Sequence, residues 1–387
     1  MKMKSIFFIF LGALLLSCSY GVFFLLAIFI QQMGYTQSTT GLILGIMGVG
    51  TMVGVVFSQF VLGRMKGNWV AAIGCLFYAI GITLFLIYFN SQILVIMLAA
   101  FFLGIGWGIY YNAAPYSLSL FANNDNRSIL FSYLSAFNVL GSGIAPTLGH
   151  LIWKGPINYN DMFLLAGITS ILAAVCFYFA KMDFCEPQKN KKFWKSFPSI
   201  LKSFACYPLI MVCLGACAFT IMVNFQSTYA NSIGMNYAYF YIIYSLSVVL
   251  SRFTFGKWIA QYNQYKVLIS LLTLMVISLI SFMFLASEVF YYCLNSALFG
   301  VSYGLAYPTL QSIAVNVTPP KHQANTITAF SFSYFIGVYA FPAIAGLFIT
   351  NFGYNSIMTI ISAFALAELL LAIKLYYSWK YKVEGNL

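Results

Sequence analysis

Long apolar runs alternate with short polar segments along the whole chain. A helix needs about 20 apolar residues to cross the hydrocarbon core of a bilayer, and the pattern predicts twelve such spans. The predicted spans are 5–30, 39–62, 69–89, 92–118, 129–153, 160–181, 204–226, 237–256, 266–286, 289–317, 326–350 and 354–378. The first run is longer than the apolar core of a signal peptide, so we interpret it as a spanning helix.

The charges follow the same pattern. Of the 387 residues, 62% are hydrophobic and only 7% are charged, which is too few charges to solvate a globular surface. If both termini are cytoplasmic, every one of the 19 basic residues except Lys154 lies at or near the inner face, as the positive-inside rule requires. The net charge of +12 therefore indicates anionic lipid headgroups, and not nucleic acid, as the partner. The pattern predicts an all-α, multi-pass protein of the inner (cytoplasmic) membrane.

Chemistry-bearing motifs are sparse. Most of the eight cysteines lie within apolar spans, and they form no pair of CxxC clusters and have no neighbouring histidines. The sequence therefore predicts neither a zinc site nor a disulfide framework. It contains no P-loop and no cluster of acids and histidines inside the spans. We predict no cofactor and no metal, and the pattern argues against both an ATP-driven pump and a membrane enzyme.

A basic segment divides the spans into two groups of six. Residues 182–203 interrupt the apolar pattern and contain five lysines, Lys189, Lys191, Lys192, Lys195 and Lys202. The predicted domains are an N-terminal six-helix bundle, 1–181, a cytoplasmic linker, 182–203, and a C-terminal six-helix bundle, 204–387.

The two groups repeat at a constant offset of 196 residues, the difference between positions 104 and 300. Gly104, Gly108 and Tyr111 correspond to Gly300, Gly304 and Tyr307. Ser135, Gly141 and Pro146 correspond to Ser331, Gly337 and Pro342. A parallel repeat predicts a pseudo-two-fold axis along the membrane normal, with a substrate site between the halves.

Twelve spans, a basic central linker and a six-plus-six repeat resemble the major facilitator superfamily over essentially the whole chain. The resemblance implies a monomeric secondary transporter that works by alternating access. The family's loop between spans two and three reads Gly-x-Leu-Ala-Asp-Arg-x-Gly-Arg-Arg. Here Arg64, Lys66 and Gly67 are kept but the acid is missing, and the matching loop from Gly256 lacks it too. These residues are candidates for an inner gate, although the usual charge relay is incomplete.

A second motif lies in the fifth span. The family's antiporters carry Gly-x-x-x-Gly-Pro-x-x-Gly-Gly, and this chain has Gly141-Ser-Gly-Ile-Ala-Pro146-Thr-Leu-Gly149-His150. The resemblance implies export. The alternative is close helix packing, which the recurrence of Gly337 and Pro342 in span eleven favours.

Arg252 is the sharpest candidate for binding a solute. Charges within spanning helices are costly and usually face a cavity or a partner. A guanidinium can bind a carboxylate bidentately, and Arg252-Phe-Thr-Phe-Gly256 resembles the Arg-x-x-x-Gly of monocarboxylate carriers. The alternative is an arginine that extends to the inner headgroups or braces the inner gate.

Two residues are candidate proton sites. Glu368 lies within span twelve, a peripheral helix in this family, where it could carry a proton or simply pack against a neighbouring helix or Lys374. His150 lies near the outer end of span five and could instead be a solvated interfacial histidine. Because no predicted cavity-lining span has a mid-membrane carboxylate, a conventional carboxylate relay is not expected.

The resemblance implies that spans one, four, seven and ten face the centre, and these carry aromatic and uncharged polar residues. The candidate substrate-binding residues, besides Arg252, are Tyr20, Trp107, Tyr111, Asn112, Asn224, Gln226, Tyr303, Tyr307 and Gln311. Amides and phenols orient a ligand while rings cover its apolar part, although ordinary helix packing explains such residues too.

These features predict a secondary transporter of a small amphipathic or weakly anionic organic solute, with export of a drug, metabolite or metallophore slightly favoured. The alternative is an uptake carrier or exchanger for a small organic anion such as a monocarboxylate. A third hypothesis is a non-transporting membrane receptor on the same scaffold.

Overall fold

The computed structural model describes residues 2–62, 64–88, 92–121, 127–152, 159–180, 198, 200–259, 262–318 and 323–384. Within this part of the chain every regular element is a helix. The chain divides into two compact units, Met1–Gln188 and Lys189–Leu387. Most of the predicted linker, 182–203, lies outside the described residues, so the domain boundaries at 181 and 204 stay predictions.

The N-terminal unit begins with a long first span that contains a short 3-10 turn. Its helices are α1 (Lys2–Val22), the turn Phe23–Leu25, α2 (Leu26–Gln32), α3 (Gln37–Leu62), α4 (Gly67–Tyr88), α5 (Ile93–Ser119), α6 (Arg127–Ile152) and α7 (Tyr159–Phe179).

The C-terminal unit follows the same plan. Its helices are α8 (Cys206–Asn224), α9 (Gln226–Ser232), α10 (Tyr237–Ile259), α11 (Gln264–Leu285), α12 (Val289–Asn316), α13 (Gln323–Phe335), a π-helical turn (Ile336–Ala340), α14 (Phe341–Phe352) and α15 (Tyr354–Glu384). A glycine with positive φ follows the first span in each unit, Gly34 at 81° and Gly234 at 72°. Both occupy the left-handed conformation that commonly ends a helix.

Eleven helices in the described part of the chain are long and apolar enough to cross a membrane. They cover eleven of the twelve predicted spans. The remaining prediction, 129–153, corresponds to α6, which is 26 residues long but is not among the eleven. The all-helical, multi-pass fold is therefore confirmed, whereas the count of twelve spans and the cytoplasmic termini stay predictions.

Each unit packs its helices in the same pattern. The first helix contacts the fifth and sixth in each unit: α1 contacts α6 and α7, and α8 contacts α13, the π-helical turn and α15. The second packs on the fourth, α3 on α5 and α10 on α12. The third packs on the fourth and sixth, α4 on α5 and α7, and α11 on α12 and α15. The predicted sequence repeat thus corresponds to a repeated packing pattern.

Glycines of the fifth span allow its closest contacts. A Cβ on Gly141 would meet the carbonyl oxygen of Leu14 in α1, and a Cβ on Gly337 would meet the carbonyl oxygen of Cys213 in α8. Close backbone approach at such positions requires a residue without a side chain. The motif around Gly141 therefore has a packing explanation in both units.

A proline in the fifth span of the C-terminal unit changes the local hydrogen bonding. Pro342 has no N–H, so it cannot donate to the carbonyl of Val338 four residues earlier. The Thr220 hydroxyl of α8 donates to this carbonyl instead, with an oxygen–oxygen distance of 2.8 Å. Val338 lies within the π-helical turn, so the irregular backbone is supported by a buried hydroxyl from the neighbouring helix.

Candidate functional site

The backbone of α12 supplies the anchor for Arg252. Pro308 lies inside α12 and has no N–H for the carbonyl of Gly304, four residues earlier. Arg252 of α10 donates its Nε–H to this carbonyl at 3.1 Å. Gly304 allows the approach of α10, because a Cβ there would lie 3.1 Å from a side-chain carbon of Val248. Arg252 therefore donates the hydrogen bond to the Gly304 carbonyl that Pro308 cannot donate. This hydrogen bond orients the guanidinium.

Four tyrosines lie in the neighbourhood of this guanidinium. Tyr244 of α10, Tyr303 and Tyr307 of α12, and Tyr334 of α13 lie within electrostatic range of Arg252. The Tyr307 ring packs edge-on against Tyr334, with centroids 5.1 Å apart. Tyrosine rings attract a cation at their faces, and their hydroxyls offer hydrogen bonds. The arrangement, which we call the arginine site, combines one cation with aromatic and hydroxyl groups in a single unit.

Replacing Pro308 with alanine tests how the arginine site is held. Alanine restores an N–H that can donate to Gly304, so it competes with the Arg252 Nε–H for one carbonyl. We expect the affinity for an anionic solute to fall by about tenfold at most, because one hydrogen bond contributes about 1 kcal/mol. The apparent KM in a proteoliposome flux assay measures this effect. Pro208→Ala is the matched control, since Pro208 lies in the first turn of α8, where no α-helical bond is lost. Equal KM values for both variants would contradict the expectation.

An aromatic stack occupies equivalent positions in the two units. In the N-terminal unit the rings of Tyr20 and Trp107 are stacked with centroids 4.1 Å apart. In the C-terminal unit Phe219 and Tyr303 are stacked at 4.7 Å and nearly parallel. Trp107 and Tyr303 are related by the repeat, and each stack joins the first helix of its unit to the fourth. Parallel rings of this kind hold the two helices of each pair together.

A polar network in the N-terminal unit was not predicted from the sequence. Asn138 of α6 accepts hydrogen bonds from the Tyr110 hydroxyl, at 2.5 Å, and from the Ser17 hydroxyl, at 3.0 Å. The network links α1, α5 and α6. Asn138 is a polar residue in an apolar span, which is a usable signal, but it belongs to the fifth span and not to the four spans that the resemblance places at the centre.

Three predicted substrate-binding amides are engaged in helix packing. Asn112 donates to the Ser58 hydroxyl of α3 at 2.8 Å, and Asn224 donates to the Thr220 carbonyl one turn back at 3.0 Å. Gln226 donates to the Tyr292 hydroxyl at 2.9 Å. The remaining two predictions lie on the fourth helices: Tyr111 is 6.4 Å from Trp107 between ring centroids, and Gln311 is half-buried one turn beyond Tyr307.

The predicted gate residues differ in environment. Arg64 and Lys66 are exposed, whereas Gly67 is buried at the start of α4, where a Cβ would meet the Ser117 hydroxyl at 2.6 Å. Gly256 lies in the last turn of α10. Pro146 lies inside α6, and a Cβ on Gly149 would lie 3.2 Å from Met162 Cε. The side chain of the proton candidate His150 lies outside the described residues.

Glu368 lies on the buried side of α15, with only 2% of its surface exposed. The Nζ of Lys374 lies 5.5 Å from the ring centroid of Tyr207. The carboxyl group of Glu368 lines a small cavity within the C-terminal unit. The lining residues are Val212, Gly215, Met275, Tyr303, Ala306, Tyr307, Leu310 and Glu368. Two tyrosines of the arginine site therefore also line the cavity at Glu368.

Comparison with known proteins defines the class. The family model of the Major Facilitator Superfamily matches residues 8–287 and 240–383, so the chain belongs to this superfamily. It is accordingly a multi-pass membrane protein and a secondary transporter, not an enzyme. No curated protein matches the chain significantly.

Solved structures with the same fold are remote in sequence. The chain is similar to the nucleoside transporter NupG, with a TM-score of 0.77 and 15% identity over 98% of this chain and 100% of that one. It is similar to an auto-inhibited POT family peptide transporter, with a TM-score of 0.73 and 12% identity over 97% of each chain. A bacterial homologue of the human lysosomal transporter Spinster, in an inward-facing and occupied conformation, gives a TM-score of 0.74 and 10% identity over 96% of each chain. These likenesses show the fold and do not define a substrate.

Proposed function

We propose that this transporter moves a small amphipathic organic solute with a weakly acidic group across the inner membrane by alternating access. The observation that carries the proposal is the arginine site. Arg252 is half-buried as a residue, its Nε–H donates to the Gly304 carbonyl, and four tyrosines lie within electrostatic range of it. A cation of this kind suits a carboxylate, because a guanidinium presents its N–H groups in the fork geometry that carboxylates accept.

The aromatic stacks support a solute that also has a flat ring. Tyr20 with Trp107 and Phe219 with Tyr303 form such stacked aromatic pairs, one in each unit, beside which a planar group could pack. Two structural neighbours are named as nucleoside and peptide transporters. Nucleosides have a planar base and peptides have a carboxylate, so each shares one feature with the proposed solute. Arg252, Tyr20, Trp107, Tyr111, Tyr303, Tyr307 and Gln311 are the residues that we propose for solute binding, and Asn112, Asn224 and Gln226 support the helices around them.

For the direction of transport we favour export, on the resemblance of the Gly141–His150 segment to the antiporter motif. Uptake or exchange of a small organic anion such as a monocarboxylate is the second candidate. The arginine site fits this candidate as well, because anchoring a carboxylate is useful in either direction. We propose that the protein works as a monomer in the lipid bilayer.

Counterflow in proteoliposomes tests the transport activity and the solute class together. Labelled p-aminohippurate, uridine and a dipeptide are offered to liposomes that contain the purified protein and an excess of the same unlabelled compound. We expect exchange of p-aminohippurate, which has both a ring and a carboxylate, above that of protein-free liposomes. Exchange of uridine alone would overturn the anionic class. Binding of a panel member without any exchange would favour the receptor hypothesis instead.

A further inference from the structure

The carboxyl group of Glu368 is buried in the C-terminal unit, where a glycine on the neighbouring helix leaves space for it. Glu368 lies in the middle of α15, which packs on α8 and α11. Gly215 of α8 faces the carboxyl group: a Cβ on this glycine would lie 3.0 Å from Oε2 and 3.2 Å from Oε1 of Glu368. The glycine therefore leaves the space that the carboxyl group occupies.

One buried polar atom at this cavity lacks a hydrogen-bond partner within the described part of the chain. It is Oε2 of Glu368, whereas the Tyr303 hydroxyl, which belongs to another residue lining the cavity, has Tyr334 as its partner. Buried polar atoms nearly always have a partner, so each exception calls for an explanation. A buried carboxyl oxygen of this kind at a cavity points to a small polar occupant, and water is the smallest that satisfies it.

The pair of Glu368 and Gly215 has no equivalent at the corresponding positions of the N-terminal unit. If the starts of α7 and α15 are aligned, Tyr159 with Tyr354, Glu368 corresponds to Ala173. Leu14 and Cys213 are the residues of the first helices that meet Gly141 and Gly337. If these two residues are aligned, Gly215 corresponds to Leu16. Ala173 and Leu16 are both fully buried apolar residues, so that unit has apolar side chains at both positions. Packing of the fold therefore does not require a carboxyl group at this place.

We propose that Glu368 is an exchangeable proton-binding site of the C-terminal unit. The carboxyl group releases its proton to water in the cavity that it shares with Tyr303 and regains it there, and no other bond changes. The protonated acid is the form that suits this buried position, because a buried carboxylate without compensation is costly. The purpose of the site rests on the proposed function, since the proton would couple solute movement to the proton gradient.

The groups that face Glu368 are consistent with a single titrating acid. Cys213 and Cys217 lie on the same helix as Gly215, one half-turn before and after it, and Cys217 lies within electrostatic range of Glu368. Tyr303 and Tyr307 of α12 line the cavity, and α11 contributes Met275 there. The described residues of α14 include no titratable side chain. Arg252 reaches the neighbourhood only through the two tyrosines that it shares with this cavity.

Infrared difference spectroscopy over a pH series tests the site without a transported solute. The purified full chain in liposomes should show a carboxylic-acid C=O band that disappears reversibly as the pH rises. Glu368→Gln keeps the volume of the side chain and should lose the band, while Glu288→Gln, which changes an exposed acid, should retain it. A band that persists in Glu368→Gln would overturn the proposal. So would a band that never titrates while the protein stays folded by size-exclusion chromatography.

Transport provides a second measurement with p-aminohippurate as the probe. An imposed pH gradient should drive accumulation of the probe in wild-type proteoliposomes and not in Glu368→Gln, whereas counterflow persists in both. Equal accumulation in the variant would contradict the coupling role. Loss of counterflow in the wild type would count against the proposed solute class, and the infrared titration would still decide whether Glu368 exchanges a proton.

Discussion

Replacing Arg252 with alanine is expected to raise the KM for an anionic solute by about 10- to 100-fold, because a hydrogen bond to a charged group contributes about 1.5–3 kcal/mol. The rate at saturating solute should change less. Counterflow of p-aminohippurate in proteoliposomes measures both values. The uncharged carboxamide of the same compound should lose little affinity, since it does not need the positive charge.

Two further variants separate charge from geometry. Arg252→Lys keeps the charge but cannot bond the Gly304 carbonyl and a carboxylate in the same fork geometry, so it should give an intermediate KM. Lys266→Ala removes an exposed cation at the start of the neighbouring helix α11 and should leave the KM unchanged. If Arg252→Ala affects the acid and the carboxamide equally, Arg252 braces the helices and does not bind the solute.

Replacing Gly104 with alanine is expected to reduce the yield of folded protein severely. A Cβ at this position would overlap the carbonyl oxygen of Met47 in α3 and would lie 2.8 Å from the backbone nitrogen of Thr51. The backbone cannot move aside as a flexible side chain can. We therefore expect overpacking to lower the free energy of unfolding by at least about 1–3 kcal/mol. The yield of monodisperse protein and its thermal aggregation temperature measure the effect.

Gly167→Ala is the matched control for this variant. It makes the same change in another spanning helix, α7, where the added Cβ would meet only a side-chain carbon of Ile82 at 3.6 Å. This is an ordinary contact, and alanine has the higher helix propensity. The control should therefore match the wild type in yield. Normal yield and stability of Gly104→Ala would show that α3 and α5 do not approach as closely as described.

The positions of the spans could be read from the sequence because hydrophobic length alone encodes them. The repeat could be read as well, since glycines at close helix contacts recur at one offset. Gly141 and Gly337 illustrate this: each sits where a first and a fifth helix meet backbone to backbone. The family could likewise be recognised from this architecture.

The contacts within the candidate site could not be derived in the same way. The bond from Arg252 to Gly304 joins residues that are 52 positions apart. Its signal, Pro308 four residues after Gly304, becomes readable only when the neighbouring helix is known. Glu368 lies in a helix that is apolar on nearly every side. The sequence pattern therefore does not show which face of this helix points into the unit, and it does not reveal Gly215 as the neighbour of Glu368. Asn138 was missed for another reason, because it lies in the fifth span and not in the four spans that the resemblance places at the centre.

A comparison of small molecules inside cells and in their medium tests the central claim, that this chain transports an organic anion through Arg252. Cells that lack the gene are compared, by untargeted mass spectrometry, with cells that carry the wild type or Arg252→Ala. The account predicts an acidic compound whose distribution changes on deletion, is restored by the wild type and is not restored by Arg252→Ala. Accumulation inside the deleted cells would indicate export, and accumulation in the medium would indicate uptake. Full restoration by Arg252→Ala, or a compound without an acidic group, would contradict the account.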